Sequence, residues 1–243
     1  MGVNNLSIGM LSYKHQKTLT NTLNSYKRNG LLDFCKNTTI FFQAITEEDK
    51  AVADSFGIKY EGWDVNMRPF DYRIKQIADS IQTRFFLFLE SDWVLIENKE
   101  EMEKQLHEAM ALIDSSKTDV VRFRHRRHPG WPLYSERLLK FKEKEVWDQW
   151  HTHLMECVHW YENPEQLFPE QIRKEGDYYY TTSEYVNYTN NPCMYDVSLF
   201  REKLSPFFKE NMNIELRIER EYWPGLKLNV CHGKGLFMHN RIG

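Results

Sequence analysis

Short apolar runs alternate with amphipathic stretches along the first half of the chain. The apolar runs predict strands at 6–11, 39–45, 58–60, 84–89 and 119–123. Apolar residues at helical spacing predict helices at 15–28, 70–81 and 99–115, with another between Thr46 and Gly57. This alternation predicts an α/β fold with a mostly parallel, doubly wound sheet, whose central strand is the apolar run 84–89.

The second half of the chain is less regular. Residues 125–180 are rich in Trp, His and charged residues and contain four prolines, which predicts loops and short helices laid over the sheet. No repeat, low-complexity segment or linker divides the sequence. We therefore expect one domain over 1–243, with a first half at 1–124 and a second at 125–243.

The overall charge and composition exclude some classes of protein. A formal charge of −3, from 32 basic and 35 acidic residues, argues against a nucleic-acid-binding protein. The four cysteines form no CxxC pair and predict reduced thiols. The N-terminus lacks the features of a signal peptide, and Glu90 and Asp92 interrupt the most apolar segment. These features predict a cytoplasmic protein with no membrane span and no nucleic-acid partner.

Two carboxylates, Glu90 and Asp92, directly follow the predicted central strand. Residues two apart at a strand end point to the same side, and open α/β sheets bind ligands at the carboxyl ends of their strands. Two neighbouring acids repel each other unless a cation lies between or beside them, and their oxygens suit Mg²⁺ or Mn²⁺. The alternative is a strand-end turn with solvated acids.

The segment Glu90-Ser91-Asp92-Trp93 resembles the acidic DxD motif of GT-A glycosyltransferases, in the Glu-x-Asp-Trp variant of family-2-like enzymes. The resemblance implies a GT-A fold and a cofactor, Mn²⁺ or Mg²⁺, that holds the diphosphate of a nucleotide sugar. Asp92 would be the principal metal ligand. Glu90 would lie near the ribose or next to the direct ligands of the metal, and Ser91 would belong to the same binding site.

Other short segments match the same family in chain order. Four residues match positions near the nucleotide or its sugar: Ser12, Tyr13, Arg73 and Lys75. The segment 235–241 resembles the family's late strand, which ends in a metal-ligating histidine, here His239. Asn190-Asn191-Pro192 resembles an element ahead of the acceptor-side helix. By this resemblance, 1–124 would bind the nucleotide sugar and 125–243 the acceptor.

The catalytic base is where the sequence departs from the family. Transfer needs a carboxylate that accepts the proton of the acceptor hydroxyl. The family carries a Glu-Asp pair before a late helix, but the matching stretch 211–216 keeps only Glu215 as an acid. Glu215 is the predicted base. The other candidates are Asp196, Glu210 and Glu219, and Asp196 is expected mainly to cap a helix over 197–204.

Together these features predict a metal-dependent transferase that moves a hexose from a UDP-sugar to a sugar hydroxyl, with inversion. The prediction of uridine and of a hexose rests on the frequency of both in the family. A viral or bacterial glycan pathway would suit such an enzyme. Five tryptophans are candidates to stack on the acceptor: Trp131, Trp147, Trp150, Trp160 and Trp223. A catalytically silent nucleotide- or carbohydrate-binding domain of the same fold is the alternative.

Two further clusters have competing interpretations. The basic run 122–128 predicts either a contact with phosphates or a solvated strand end. The segment 151–159 holds three histidines and Cys157, which are residue types that bind zinc. Its spacing favours a helix that packs on the sheet through Leu154 and Val158.

Overall fold

The computed structural model describes residues 3–63, 70–133, 151–208, 218 and 222–242. The strands are β1 Leu6–Ser12, β2 Asn37–Phe42, β3 Lys59–Gly62, β4 Phe85–Glu90, β5 Trp93–Leu95, β6 Val120–Arg124, β7 Arg173–Glu175, β8 Tyr178–Thr182, β9 Cys193–Asp196 and β10 Asn229–His239.

The helices lie between these strands. The α-helices are α1 Gln16–Arg28, α2 Leu31–Phe34, α3 Glu47–Phe56, α4 Phe70–Ser80, α5 Lys99–Asp114, α6 Pro164–Leu167 and α7 Val197–Leu199. A π-helical turn, Phe200–Leu204, continues α7. Shorter 3-10 segments are His151–His159, Ser205–Phe207 and Pro224–Leu226.

One sheet contains strands from both halves of the chain. Its order is β3-β2-β1-β4-β9-β6-β10-β8-β7, and β5 pairs with β10 beside this path. The strands β1 to β4 pair in parallel, as predicted, and β6 is parallel to β10. The predicted α/β domain with a central sheet flanked by helices is confirmed. Separate ligand roles for 1–124 and 125–243 stay a prediction.

The second half of the sheet differs from the expectation. The strands β5, β7, β8 and β9 pair antiparallel with their neighbours, so the sheet is mixed. The hairpin of β7 and β8 lies where only loops and short helices were expected, and that prediction was wrong. In β8, Tyr178, Tyr179 and Tyr180 are buried on both faces, so the sequence shows no alternation of polar and apolar residues.

Two apolar cores cover opposite faces of the sheet. Alternate residues of β4 enter them: Leu87 joins the core that contains α1 and α5 residues, and Phe88 joins the one that contains α4 residues. Helix α3 begins with a capping box in which Thr46 accepts from Asp49 N, and ends at Gly57 with φ +64°, as the sequence predicted. Within the described ranges, no helix is long and apolar enough to cross a membrane.

Gly9 allows α4 to pack directly on β1. A Cβ at this position would lie 2.4 Å from Ile77 Cγ2 and 2.9 Å from a ring carbon of Phe86. We predict that Gly9→Ala lowers the free energy of unfolding by about 1–3 kcal/mol, the usual cost of overpacking a core. Urea denaturation would measure it. The control Gly225→Ala adds a methyl with nothing within 4 Å and should change stability by less than about 0.5 kcal/mol. Equal effects would contradict this packing.

Candidate active site at the carboxyl end of β1 and β4

The carboxyl ends of parallel strands meet at one pocket. In the sheet, β2 and β3 lie on one side of β1, and β4 lies on the other side. The strand order therefore reverses between β1 and β4, which makes this position a topological switch point. A cavity of about 190 Å³ opens there. Five of the predicted site residues line it: Ser12, Tyr13, Glu90, Ser91 and Asp92. Five other lining residues were not predicted as site residues: Leu11, His15, Thr18, Gln43 and Arg241.

A larger cavity of about 380 Å³ lies by α5, β8 and Gly233 of β10. Its charged groups are paired with one another, for example Lys104 with Asp177 at 3.8 Å and Arg127 with Glu162. The smaller pocket is the better candidate site because it lies past the strand ends and contains a buried carboxylate oxygen without a partner.

That oxygen belongs to Asp92, in the two-residue link between β4 and β5. The link is fixed on both sides, because Ser91 N donates to Leu11 O at 3.0 Å and the buried Tyr26 hydroxyl donates to Trp93 O at 2.7 Å. The Asp92 side chain is only 7% exposed, and its Oδ1 has no hydrogen-bond partner. A buried acceptor left unpaired is costly, so a cation or a hydrogen-bond donor placed at this oxygen would be stabilising.

Strand β10 brings His239 to Asp92 from the far end of the chain. The pairing of β10 with β5 places His239 opposite Trp93, and Asn240 N donates to Asp92 O at 2.8 Å. The register of β10 on β6 shifts between His232 and Phe237, around Gly235 at φ +83°. This irregularity turns the end of β10 away from β6 and onto β5.

The two ring nitrogens of His239 have different partners. Nδ1 donates to the Trp131 carbonyl, and Nε2 lies 3.1 Å from Asp92 Oδ2. With Nδ1–H bound to a carbonyl, a neutral imidazole directs the Nε2 lone pair at a carboxylate. A proton or a metal cation must then lie between the two atoms. A metal-binding histidine commonly donates its other ring N–H to such a carbonyl, so the arrangement fits a divalent cation.

The protein offers the cation few ligands. In the described part of the chain, no three His, Cys, Asp or Glu side chains are grouped to hold a metal. Asp92 and His239 could supply two ligands, and Glu90 lines the same pocket without forming a group of three with them. Mg²⁺ and Mn²⁺ are often bound in this way, through one or two protein ligands together with substrate phosphates.

Two basic side chains adjoin one oxygen of the Asp92 carboxylate. Burial alone would raise the pKa of Asp92, but the hydrogen bond and electrostatic interaction with His239 and the charge of Arg241 lower that pKa below its usual value. Asp92 is therefore ionised at neutral pH. The Arg241 Nε lies 3.6 Å from Asp92 Oδ2, and the Arg241 side chain is largely exposed to the pocket mouth.

A buried arginine holds the loop beneath His239. Arg124 donates to the carbonyls of Pro129, Gly130 and Pro132 at 3.0, 2.9 and 2.7 Å. His239 takes the fourth carbonyl, that of Trp131, and its own backbone N donates to Pro129 O at 3.1 Å. Every carbonyl from 129 to 132 therefore accepts a hydrogen bond from the protein. Because two of these bonds come from His239, the loop fixes the position of that histidine.

Two of the predicted donor contacts, Arg73 and Lys75, lie on the expected helix, α4, but are not among the described residues that line the pocket. The Arg73 guanidinium lies 4.3 Å from the centre of the Trp63 ring, and Lys75 pairs with Asp79. The structure therefore does not bring either side chain to Asp92.

The candidate bases lie mostly outside the described residues. Glu210, Glu215 and Glu219 all fall there, so the prediction for Glu215 stays a prediction. Asp196 Oδ1 accepts from Ser198 N and Leu199 N, which confirms the expected cap at the start of α7.

Three arginines of the basic run are bound within the protein, whereas Arg127 and His128 at its end are exposed. Arg122 pairs with buried Glu156 at 2.8 Å, Arg124 holds the 129–132 loop, and Arg126 donates to the carbonyls of Val158 and Tyr161. These arginines point inward because the 151–159 segment and the loop cover the end of β6. The sequence predicted that this part of the chain covers the sheet, but it did not identify the arginines as the residues that bind the cover.

The 151–159 segment packs on the sheet, as its spacing predicted, but it forms a 3-10 helix. Leu154 and Val158 are buried in the core that contains α4 residues. Burial raises the pKa of the Cys157 thiol far above its usual value, which makes it a poor nucleophile or metal ligand.

The likeness of this chain to known proteins lies in its fold. No protein-family model matches the chain, and no curated protein matches it. Solved structures of glycosyltransferases match its fold over nearly its whole length. The fold is of the GT-A type.

Two of these structures carry nucleotide sugars. S. aureus TarS 1-349 in complex with UDP-GlcNAc has a TM-score of 0.56 and 15% identity, covering 98% of this chain and 59% of that chain. Glucosyl-3-phosphoglycerate synthase from Mycobacterium tuberculosis, in complex with Mn²⁺ and UDP-glucose, has a TM-score of 0.54 and 11% identity, covering 98% and 72%. The chain thus spans about 60% of the TarS fragment.

Gly130 permits the close approach of the 129–132 loop to His239. A Cβ there would lie 1.9 Å from His239 O, and its φ is +69°. We predict that Gly130→Ala destabilises the protein more than Gly176→Ala by at least about 1 kcal/mol in urea denaturation. Gly176 has φ +58° but open space, so it carries the left-handed backbone cost of about 1–2 kcal/mol alone. Equal losses would show that the contact with His239 is unimportant.

Proposed function

We propose that the protein is a metal-dependent glycosyltransferase that moves a hexose from a UDP-sugar to a sugar hydroxyl, with inversion. The observation that carries this proposal is the unpartnered, buried Asp92 Oδ1 beside the Asp92–His239 contact, at the switch point of a GT-A fold. Two structures of similar fold hold UDP-GlcNAc, and UDP-glucose with Mn²⁺, which supports a uridine donor and a divalent cation.

Asp92 and His239 would hold the cation, with Glu90 beside it or near the ribose. A divalent cation supplies charge that neutralises the diphosphate as it leaves. Arg241, 3.6 Å from Asp92 and open to solvent, adds a positive charge that can bind a phosphate oxygen. The loop that Arg124 holds fixes the orientation of the His239 ring, which reduces reorganisation during the reaction.

The nucleotide would lie on the β1 side of Asp92. Strand β1 ends there at Ser12, and Tyr13 follows it. Tyr13 is 39% exposed, so its ring can present a face on which a base stacks. Ser91 completes this side of the pocket. Arg73 and Lys75 are proposed to contact the donor only if α4 or their side chains move, because both have other partners.

The acceptor would approach from the side of the second half. Its hydroxyl proton needs a carboxylate opposite the leaving diphosphate, and Glu215 is the proposed base. In the described part of the pocket the only carboxylates are Glu90 and Asp92, both on the donor side. A binding domain without activity is therefore the second candidate function.

We predict that Asp92→Asn weakens Mn²⁺-dependent UDP binding by about tenfold or more. The change keeps the shape but removes a charged ligand, and charged hydrogen-bonded groups contribute roughly 1.5–3 kcal/mol. His239→Ala should weaken binding less. Isothermal titration calorimetry with and without Mn²⁺ measures both, and UDP should bind more tightly than GDP.

Asp33→Asn is the matched control for this experiment. Asp33 is an exposed aspartate on α2 that pairs with Lys36, and its replacement should leave UDP binding unchanged. Wild-type affinity in Asp92→Asn would overturn the metal site. Tighter binding of GDP than UDP would overturn the choice of uridine.

For the base, we predict that Glu215→Gln keeps donor affinity but slows transfer by roughly a hundredfold or more, the usual size of a general-base effect. UDP release from UDP-hexose in the presence of methyl hexosides measures transfer. Glu100→Gln, at an exposed glutamate in the first turn of α5, is the control and should retain full activity. An unchanged rate in Glu215→Gln would exclude it as the base, and a product of retained configuration would remove the need for one.

The same assay separates the two candidate functions. A binding domain without activity would bind UDP and Mn²⁺ but release no UDP from any UDP-hexose, with or without a sugar acceptor. A transferase would also show slow metal-dependent hydrolysis in the absence of an acceptor.

A further inference from the structure

Exposed apolar side chains concentrate around the candidate active site. Among the described residues, four large apolar side chains are strongly exposed: Tyr13, Trp131, Leu167 and Ile242. Tyr13 lines the pocket, and the backbone of Ile242 bonds to the pocket residue Thr18. The Trp131 carbonyl binds His239, the partner of Asp92. Only Leu167, on α6, lacks such a link to the pocket.

Trp131 is the most exposed of the four, at 58%, although its backbone is firmly held. Its own carbonyl and those of its three neighbours in the 129–132 loop all accept hydrogen bonds from Arg124 or His239. The next residue, Leu133, is buried and anchors the loop at that end. An exposed indole on a fixed backbone loses little conformational entropy when a ligand binds to it.

The sheet places Trp131 and Tyr13 on opposite sides of Asp92. Tyr13 follows β1, whereas Trp131 is tied to the end of β10, and these strands lie on opposite sides of β4. The imidazole of His239 separates Asp92 from the Trp131 loop, because its two nitrogens face one each. If the nucleotide lies beside Tyr13, the sugar end of the donor and the acceptor must lie towards Trp131.

The exposed side chains that precede Trp131 in the chain are polar. The preceding residues Arg127 and His128 are exposed and polar, so the indole is not continuous with an apolar patch along this segment. Protein interfaces generally use contiguous apolar patches of several hundred Å². A hexopyranose has one face of C–H groups that matches a single indole face, and its hydroxyls remain hydrated.

We propose that Trp131 is the stacking platform for the pyranose ring of the acceptor. This inference rests on the proposed function, because that function places the nucleotide at Tyr13 and the acceptor on the other side. Of the other described tryptophans that the sequence suggested for stacking, Trp223 is buried and bonded to Val186 O, and Trp160 is only partly exposed. Trp131 alone among these three presents a largely open ring.

The test uses saturation-transfer NMR with the β-methyl glycosides of glucose, galactose and N-acetylglucosamine. Wild type, Trp131→Ala, Trp131→Phe and Leu167→Ala are compared on the full chain with Mn²⁺ and UDP present. We expect at least one glycoside to bind wild type through the C–H protons of one ring face. Its affinity should fall about three- to tenfold in Trp131→Ala, the size of a stacking contact. Trp131→Phe should restore part of the loss, and Leu167→Ala should match wild type.

UDP affinity in the same samples separates this inference from the proposed function. We expect Trp131→Ala to bind UDP and Mn²⁺ within twofold of wild type. The inference is overturned if no glycoside binds wild type, if Trp131→Ala binds it unchanged, or if Trp131→Ala loses UDP and glycoside equally. If glycosides bind through Trp131 but UDP binds no variant, the stacking platform stands and the transferase proposal fails.

Discussion

The pairing of β5 with β10 holds the candidate site together. Only three residue pairs form this antiparallel ladder, yet it joins Asp92 to His239, which lie 147 residues apart in sequence. The ladder depends on the shift of β10 at Gly235, whose N–H and carbonyl are both bonded to Gln105 of α5. The first half of the chain thus supplies the carboxylate, and the last strand supplies the histidine.

Arg124 connects this ladder to the loop below it. Burial lowers the pKa of its guanidinium to about 10, which still leaves the side chain charged at neutral pH. The guanidinium lies 5.2 Å from the centre of the Trp93 ring while it donates to three loop carbonyls. A cation is suited to this position because it satisfies several carbonyls at once and also interacts with an aromatic face.

Local signals in the sequence predicted the first half of the fold and the carboxylate side of the site. Thr46, Gly57 and the apolar run of β4 act through neighbouring residues, so pattern and capping rules can find them. The hairpin of β7 and β8 and the pocket residue Arg241 depend on contacts between distant parts of the chain. The position of His239 was found only by resemblance to a family, since no periodicity distinguishes it from the other histidines.

The position of the His239 ring has a consequence for the proposed function. One edge of the imidazole faces Asp92, and the other is bonded to the loop that carries Trp131. Under the proposed function, a cation at Asp92 and a sugar at Trp131 would both adjoin this one imidazole. Linkage makes any coupling between two such ligands reciprocal, so whatever free energy the cation would add to sugar binding, the sugar would add to cation binding. The imidazole would then be a thermodynamic coupling element between metal and carbohydrate.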